Sequence, residues 1–176
     1  MPEELTVVRA GSRAPEQLLA LFDDALAWLV ARGQTGQWGS QPFSAQPAQR
    51  ERIDEWARGE LWFAVPSGDL EADPAGAMLL GEHMEYVPAP DRPELYVKVL
   101  LTASDWRGHG VGQLLVDHAV AEARSRGAEQ LRVDCWDGVP ELPAQYERLG
   151  FTRVGSFVVN PPGRGDWHGA ILAMQL

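Results

Sequence analysis

Three closely spaced glycines lie between a strand-like run and a helical pattern near the middle of the chain. The run 95–102 is rich in Val and Leu, and Arg107-Gly108-His109-Gly110-Val111-Gly112 opens an amphipathic helix. A glycine-rich turn at a helix N-terminus directs several unpaired backbone N–H groups at one point, where the helix dipole adds partial positive charge. Such a turn can bind phosphate; the alternative is a glycine-rich turn without a ligand.

Two common phosphate-binding motifs do not fit this segment. The Rossmann fingerprint needs G-x-G-x-x-G, whereas Gly108, Gly110 and Gly112 are spaced G-x-G-x-G. The Walker A motif needs a Lys followed by Ser or Thr, and neither pair follows these glycines. The remaining pattern is Arg-x-x-Gly-x-Gly, which begins at Arg107.

The spacing of apolar residues predicts seven strands and four helices in the order β-α-α-β-β-β-α-β-α-β-β. The strands are predicted at 5–9, 61–65, 75–82, 95–102, 131–136, 151–159 and 168–175, and the helices at 16–31, 48–58, 111–126 and 141–149. The strand–helix–strand unit around the glycines implies a parallel pair, and the early and late hairpins are antiparallel. We therefore predict a single α/β domain over residues 1–176, with a mixed, mostly antiparallel sheet of about seven strands and helices on both faces.

A second motif, Tyr146-Glu147-Arg148-Leu149-Gly150-Phe151, follows the glycine turn by about 35 residues. This segment resembles the Y-E-x-x-G-F that ends the last helix in many GNAT superfamily N-acetyltransferases, and Arg-x-x-Gly-x-Gly resembles their pyrophosphate loop. The two motifs stand in the same order and at the expected distance, with a strand between them. The resemblance covers nearly the whole chain and is strongest over 95–159.

The resemblance implies acetyl-CoA as cosubstrate, and no spacing of His or Cys in the sequence suggests a metal site. In this superfamily the pantetheine arm pairs with exposed backbone of the central strand, as an added strand would, and the pyrophosphate lies on loop amides. The residues that would bind the cofactor are Leu100, Leu101 and Thr102 on the strand, and Arg107, Gly108, His109, Gly110, Val111 and Gly112 in the loop.

The implied reaction is direct attack of a primary amine on the thioester carbonyl in a ternary complex. Tyr146 matches the family's usual proton donor to the departing thiolate, since a phenol with a pKa near ~10 is protonated at neutral pH. The alternative for Tyr146 is a core tyrosine whose hydroxyl bonds to the backbone.

The sequence motifs do not determine which residues would bind the acceptor amine or take its proton. The carboxylates and imidazoles that could act as a base are Glu82, His83, Glu85, Asp134 and His168, and some relatives use a water chain instead. We expect Trp38, Glu82 and Asp134 to bind substrate; the alternative for Trp38 is that it anchors the connection 34–49 onto the core. Asp137 stands where many relatives carry an Asn, which places a carboxylate near the cofactor.

Composition limits the partners. The net charge of −10 argues against nucleic-acid and anionic-membrane binding and favours a cationic small-molecule amine. A single cysteine, Cys135, an N-terminus without signal-peptide features and no long apolar run lead us to expect a cytoplasmic protein; homodimers are common in the superfamily. The alternatives are a protein or peptide N-acetyltransferase and a non-catalytic acyl-CoA-binding regulatory module.

Overall fold

A computed structural model of the protein describes residues 3–176. The element order is the one that the sequence predicts, with boundaries that differ by one or two residues. The strands are β1 Leu5–Arg9, β2 Glu60–Pro66, β3 Gly76–Gly81, β4 Glu94–Thr102, β5 Gln130–Trp136, β6 Thr152–Val159 and β7 Trp167–Gln175. The helices are α1 Ala14–Val30, α2 Pro47–Ala57, α3 Val111–Ser125 and α4 Glu141–Arg148.

Two short 3-10 helices, Phe43–Ala45 and Ser104–Trp106, were not predicted from the sequence. Both lie in segments expected to be irregular, and three residues are too few to show a hydrophobic period.

The seven strands form one mixed sheet in the order β1-β2-β3-β4-β5-β7-β6. The pairs β1–β2, β2–β3, β5–β7 and β6–β7 are antiparallel, and β4–β5 is parallel. This confirms the predicted fold class of a mostly antiparallel mixed sheet. Contacts divide the chain into two compact units, and the single domain over residues 1–176 stays a prediction.

The first unit comprises the chain up to Leu80 together with Val99–His118. Its core forms because the apolar stripe of α1 packs with the inward side chains of β2 and β3 and with Ile53 of α2. Phe43 of the first 3-10 helix is buried in the same cluster. This unit contains the C-terminal half of β4, the glycine turn and the first half of α3.

The second unit comprises Gly81–Lys98 and Ala119–Leu176. Strand β5 lies in its interior, paired with β4 on one side and β7 on the other, so Leu131 and Val133 are almost fully buried. A smaller apolar cluster joins Val87, Tyr96 and Ile171. Helix α4 and the β6–β7 hairpin complete this unit.

None of the helices in residues 3–176 combines the length and apolarity needed to cross a membrane.

One glycine of the first unit controls how closely α3 approaches the strands. A Cβ placed on Gly76 would lie 2.6 Å from the carbonyl oxygen of Leu101 and 2.6 Å from Cγ1 of Val111. Since real side chains do not approach so closely, any larger residue at position 76 forces the start of α3 away from the end of β4.

We therefore expect Gly76→Ala to destabilise the protein by about 1–3 kcal/mol, the usual cost of overpacking a core. Gly155→Ala in β6 is the matched control, because its Cβ would make only an ordinary contact of 3.6 Å with Ile171. Urea unfolding of both variants measures the difference. Equal stability of the two variants would contradict this account of Gly76.

Candidate functional site

The turn between β4 and α3 is fixed by a carboxylate from α1. Asp24 accepts two hydrogen bonds from Ser104, one from the backbone N–H at 2.7 Å and one from the hydroxyl at 2.6 Å. The amide of Ala103 also donates to the carbonyl of Ala75 at 2.8 Å. These bonds hold the chain at the point where β4 ends.

The glycines adopt backbone conformations that other residues avoid. Gly108 and Gly110 have φ of +79° and +76°, in the left-handed region. A Cβ on either would meet nothing of the protein within 4 Å. The space beside both Cα atoms is therefore open to a ligand.

Most of the turn's amides have no acceptor in the protein. Arg107 and His109 donate their N–H groups to the carbonyls of Ser104 and Trp106, at 3.3 and 3.2 Å. The N–H groups of Gly108 and of residues 110–113 donate to no group within residues 3–176. Five main-chain donors at one helix start make a site for an anion, and with the open glycine face they fit a diphosphate.

Arg107 does not extend freely into solvent. Its guanidinium carbon lies 3.7 Å from the centre of the Trp28 ring on α1, and the side chain is half-buried. Burial, followed by the nearby charge of Arg32, lowers the pKa of Arg107. The predicted contact between Arg107 and a phosphate thus involves a cation held in place by an indole.

The predicted strand contacts to the cofactor are the last residues of β4, Leu100–Thr102. In the second unit, parallel pairing of β4 with β5 covers only Glu94–Val97 and Gln130–Val133, and the next residues, Lys98 and Asp134, are no longer paired. Within the second unit, parallel pairing therefore ends at Val97 and Val133.

Tyr146, the predicted proton donor, lies on α4 with its ring edge against Phe151, at 6.1 Å between ring centres. Its hydroxyl makes no hydrogen bond with any residue in the described part of the chain, so the backbone partner expected of a structural core tyrosine is not found. Burial, with Cys135 and Asp134 nearby, raises the pKa of Tyr146. The phenol therefore keeps its proton at neutral pH and has it available to donate.

Asp134 on β5 is hydrogen-bonded to a tyrosine that sequence reasoning missed. Tyr96 on β4 has no exposed surface, and its hydroxyl donates to Oδ1 of Asp134 at 2.5 Å. Burial raises the pKa of Asp134, while the Tyr96 hydrogen bond opposes this rise. Strand alternation places Arg132 and Asp134 on one face of β5. Tyr96 lies opposite Arg132 in the parallel pairing and bonds to Asp134, in agreement with that placement.

The neighbouring charges on this face neutralise one another. Arg132 forms a two-point ion pair with Glu94, whose carboxylate also lies 3.6 Å from Nδ1 of His83 and accepts a hydrogen bond from Gln130 at 3.5 Å. Arg132 also donates to the carbonyl of Pro88 at 2.9 Å. His83, one of the candidate bases, is therefore already beside a carboxylate.

The other candidate bases are exposed: Glu82, Glu85 and His168 all lie at the surface. Trp38 packs against Phe22 at 5.4 Å and Phe43 at 5.9 Å between ring centres, which gives it the anchoring role that was the alternative to substrate binding. Contact of Trp38 or Glu82 with an acceptor stays a prediction.

The carboxylate of Asp137 does not stand as an isolated charge. Arg153 donates to both of its oxygens, so the residue that replaces the family's Asn is neutralised by an ion pair. Burial raises the pKa of Cys135 to about 12, which keeps it as an unreactive thiol. Residues 3–176 contain no group of three or more His, Cys, Asp or Glu placed to hold a metal.

The sequence carried some signal for the residues that were missed. Asp24 and Trp28 are four positions apart in α1, which places both on one helix face, and Arg32 follows four positions later, just beyond the helix. Tyr96 among the Val and Leu residues of β4 was a further signal, because a buried hydroxyl needs a partner. Neither pattern identifies the partner without the fold.

Comparison with known proteins agrees with the two motifs. The model of the acetyltransferase (GNAT) family matches residues 24–151. The mycothiol acetyltransferase of Propionibacterium freudenreichii is 31% identical over 150 residues, covering 83% of this chain and 46% of that protein. The mycothiol acetyltransferase of Tsukamurella paurometabola is 32% identical over 157 residues, covering 86% and 49%. The chain thus spans about half the length of these relatives.

Solved structures share the fold at low identity. An N-acetyltransferase from Staphylococcus aureus superposes with a TM-score of 0.67 at 14% identity, covering 98% of each chain. A NatC complex bound to Gag peptide and CoA gives 0.62 at 17% identity, covering 98% of this chain and 99% of that one. The family match, the two motifs in register and the shared fold together show that this chain belongs to the GNAT acetyltransferase family.

Proposed function

We propose that the protein is an acetyl-CoA-dependent N-acetyltransferase that acts on a small cationic amine. The observation that carries this proposal is the set of free amides at Gly108 and residues 110–113, beside an open glycine face. Every helix start leaves N–H groups unpaired, and here the glycines leave the space in front of these donors open, so that an anion can reach several of them at once.

Main-chain groups of the protein would bind the cofactor. The amides of the turn receive the diphosphate, and the main chain of Leu100, Leu101 and Thr102 pairs with the pantetheine arm. Bound acetyl-CoA supplies the thioester carbonyl that the acceptor amine attacks, so that the new C–N bond forms as the C–S bond breaks.

Tyr146 would give its phenolic proton to the departing sulfur, and the proton that the amine nitrogen loses as the amide forms would restore the phenol. One feature of the second unit supports this role: the hydroxyl is not engaged by another group in residues 3–176, so its proton is not already donated within the protein. A thiolate leaves more readily when it is protonated, which is general acid catalysis.

Asp134 would bind the acceptor's ammonium group. Its carboxylate lies close enough to Tyr146 for its charge to raise the pKa of that phenol, and Tyr96 fixes its orientation. The net charge of −10 supports a cationic acceptor as well. The two relatives named mycothiol acetyltransferases support a small-molecule acceptor rather than a protein.

A thiol-release assay tests the activity directly. The panel should contain a polyamine, an aminoglycoside, amino-acid derivatives and, as the competing acceptor, peptides with a free N-terminus. We expect CoA release above background only with small amines. Release confined to peptides would favour the protein acetyltransferase, and CoA binding without release from any amine would favour a regulatory module.

We expect Gly110→Ala to weaken CoA binding by roughly tenfold or more, because its Cβ would occupy the space that the diphosphate needs. Isothermal titration measures the affinity. Gly127→Ala is the matched control, because Gly127 also has a positive φ, +74°, and open space around it but lies beyond the end of α3. An equal effect of both substitutions on CoA affinity would argue against the turn as the diphosphate site.

We expect Tyr146→Phe to lower kcat by about 100-fold, within the usual range for loss of a general acid, with little change in acetyl-CoA affinity. Tyr86→Phe removes a hydroxyl from an exposed ring in the same unit and should leave kcat unchanged. Unchanged turnover of Tyr146→Phe from about pH 6 to pH 9 would remove Tyr146 from the mechanism.

The pH dependence should report Asp134. Its pKa is raised, and acceptor binding needs the carboxylate, so activity is lost as the pH falls through that pKa. Tyr96→Phe removes the hydrogen bond that opposes the rise, so the acid limb of kcat/KM for the acceptor should move to higher pH. Asp134→Asn should abolish that limb. An acid limb that is the same in Tyr96→Phe and the parent would contradict the role of the pair.

A further inference from the structure

One face of α1 is directed at the turn that precedes α3. Asp24 and Trp28 are spaced four residues apart and share one face of α1. Asp24 binds Ser104, and Trp28, one turn further on, contacts Arg107. Arg32 follows in the turn just beyond the end of α1 at Val30, and its guanidinium lies back over the Trp28 ring.

Arg32 and Arg107 lie on opposite faces of the Trp28 ring. Their guanidinium carbons are 3.6 and 3.7 Å from the centre of the ring. Two such groups could not fit on one face at these distances, because they would overlap. The indole thus separates two like charges by about 7 Å, the sum of the two distances.

Within residues 3–176 no carboxylate forms a hydrogen bond or an ion pair with Arg32 or Arg107. The Arg107 side chain donates no hydrogen bond within residues 3–176, and its buried Nε atom has no acceptor. Arg32 donates only to the carbonyl of Trp28, at 3.1 Å. The nearest carboxylate that acts on Arg107 is that of Asp24, whose two oxygens already accept hydrogen bonds from Ser104.

We propose that Arg32, Trp28 and Arg107 form a phosphate-binding element that is distinct from the amides of the glycine turn. Its ligand is a phosphate group of the cofactor. Trp28 holds both cations without neutralising them, and an anion relieves their repulsion while accepting hydrogen bonds from the guanidinium N–H groups. The proposal rests on the proposed function, since it assigns further residues to the same cofactor.

Two phosphates of CoA could be the ligand, the diphosphate or the 3′-phosphomonoester. Both offer the same oxygen acceptors, and Arg107 begins the turn whose amides face the diphosphate. Comparing CoA with 3′-dephospho-CoA separates the two sources. Acetyl-pantetheine has no phosphate, so substitutions in this element should not change the affinity of the protein for it.

The test is isothermal titration of the 176-residue protein with these three ligands at low ionic strength. We expect Arg32→Ala to weaken CoA binding about fivefold and Arg32→Lys to retain part of that affinity, since the charge remains without the planar geometry. If the loss disappears with 3′-dephospho-CoA, the 3′-phosphate is the ligand; if it persists, the diphosphate is. Either result supports the element.

The chain offers a matched control in α2. Arg52 is also four residues from a tryptophan and lies over the Trp56 ring at 5.8 Å, but no second arginine among residues 3–176 stacks on that ring. Arg52→Ala should leave CoA affinity unchanged. The salt dependence adds an independent readout: the slope of log Kd against log salt concentration should be smaller in Arg32→Ala than in Arg52→Ala.

Two results would overturn the inference. One is equal CoA affinity for Arg32→Ala and Arg52→Ala. The other is an equal loss with acetyl-pantetheine, which would show that Arg32 only supports the fold of the turn. Failure of the parent protein to bind CoA at all is a different result, because it would reject the proposed function itself.

Discussion

The hydrogen bonds between Asp24 and Ser104 determine where the glycine turn lies. They join α1 to the end of β4 across 80 positions of sequence. One of them pairs the backbone N–H of Ser104, the residue that follows the end of β4 by two positions. Because the turn is held from this side, its remaining amides need not bond to the protein for the turn to keep its shape. A rigid support and free donors are both needed for a site that binds an anion with little reorganisation.

The same helix face extends this support to the first residue of the motif. Trp28 holds the Arg107 side chain, so the cation at the start of the turn has a defined position even without a ligand. Gly76 on β3 adds a second support for the turn. Because Gly76 has no side chain, Val111 and Leu115 of α3 and the carbonyl of Leu101 on β4 can all lie close to its Cα. The first unit thus fixes the turn by a carboxylate, an indole and a close backbone contact.

The sequence predicted the elements well because their signals are local. The period of apolar residues gave the order of all strands and helices, and the turn between β4 and α3 was recognisable from glycines at fixed offsets. What it could not supply are contacts between distant positions, such as Asp24 with Ser104 or Tyr96 with Asp134. Trp38 shows the same limit: its position in a polar loop left open whether it binds substrate or anchors the loop, and its contacts with Phe22 and Phe43 appear only in the fold.

The buried polar groups of the second unit argue for a particular kind of acceptor. Buried ion pairs contribute little net stability, because the loss of hydration offsets the attraction. Glu94 and Arg132 neutralise each other at close range, with His83 beside them. Asp134 forms no ion pair within residues 3–176: its hydrogen-bond donor is the neutral phenol of Tyr96, and the nearby guanidinium of Arg132 is paired with Glu94. A buried carboxylate without an ion-pair partner is stabilised by a cation that binds beside it, and the ammonium group of the proposed acceptor would be such a cation.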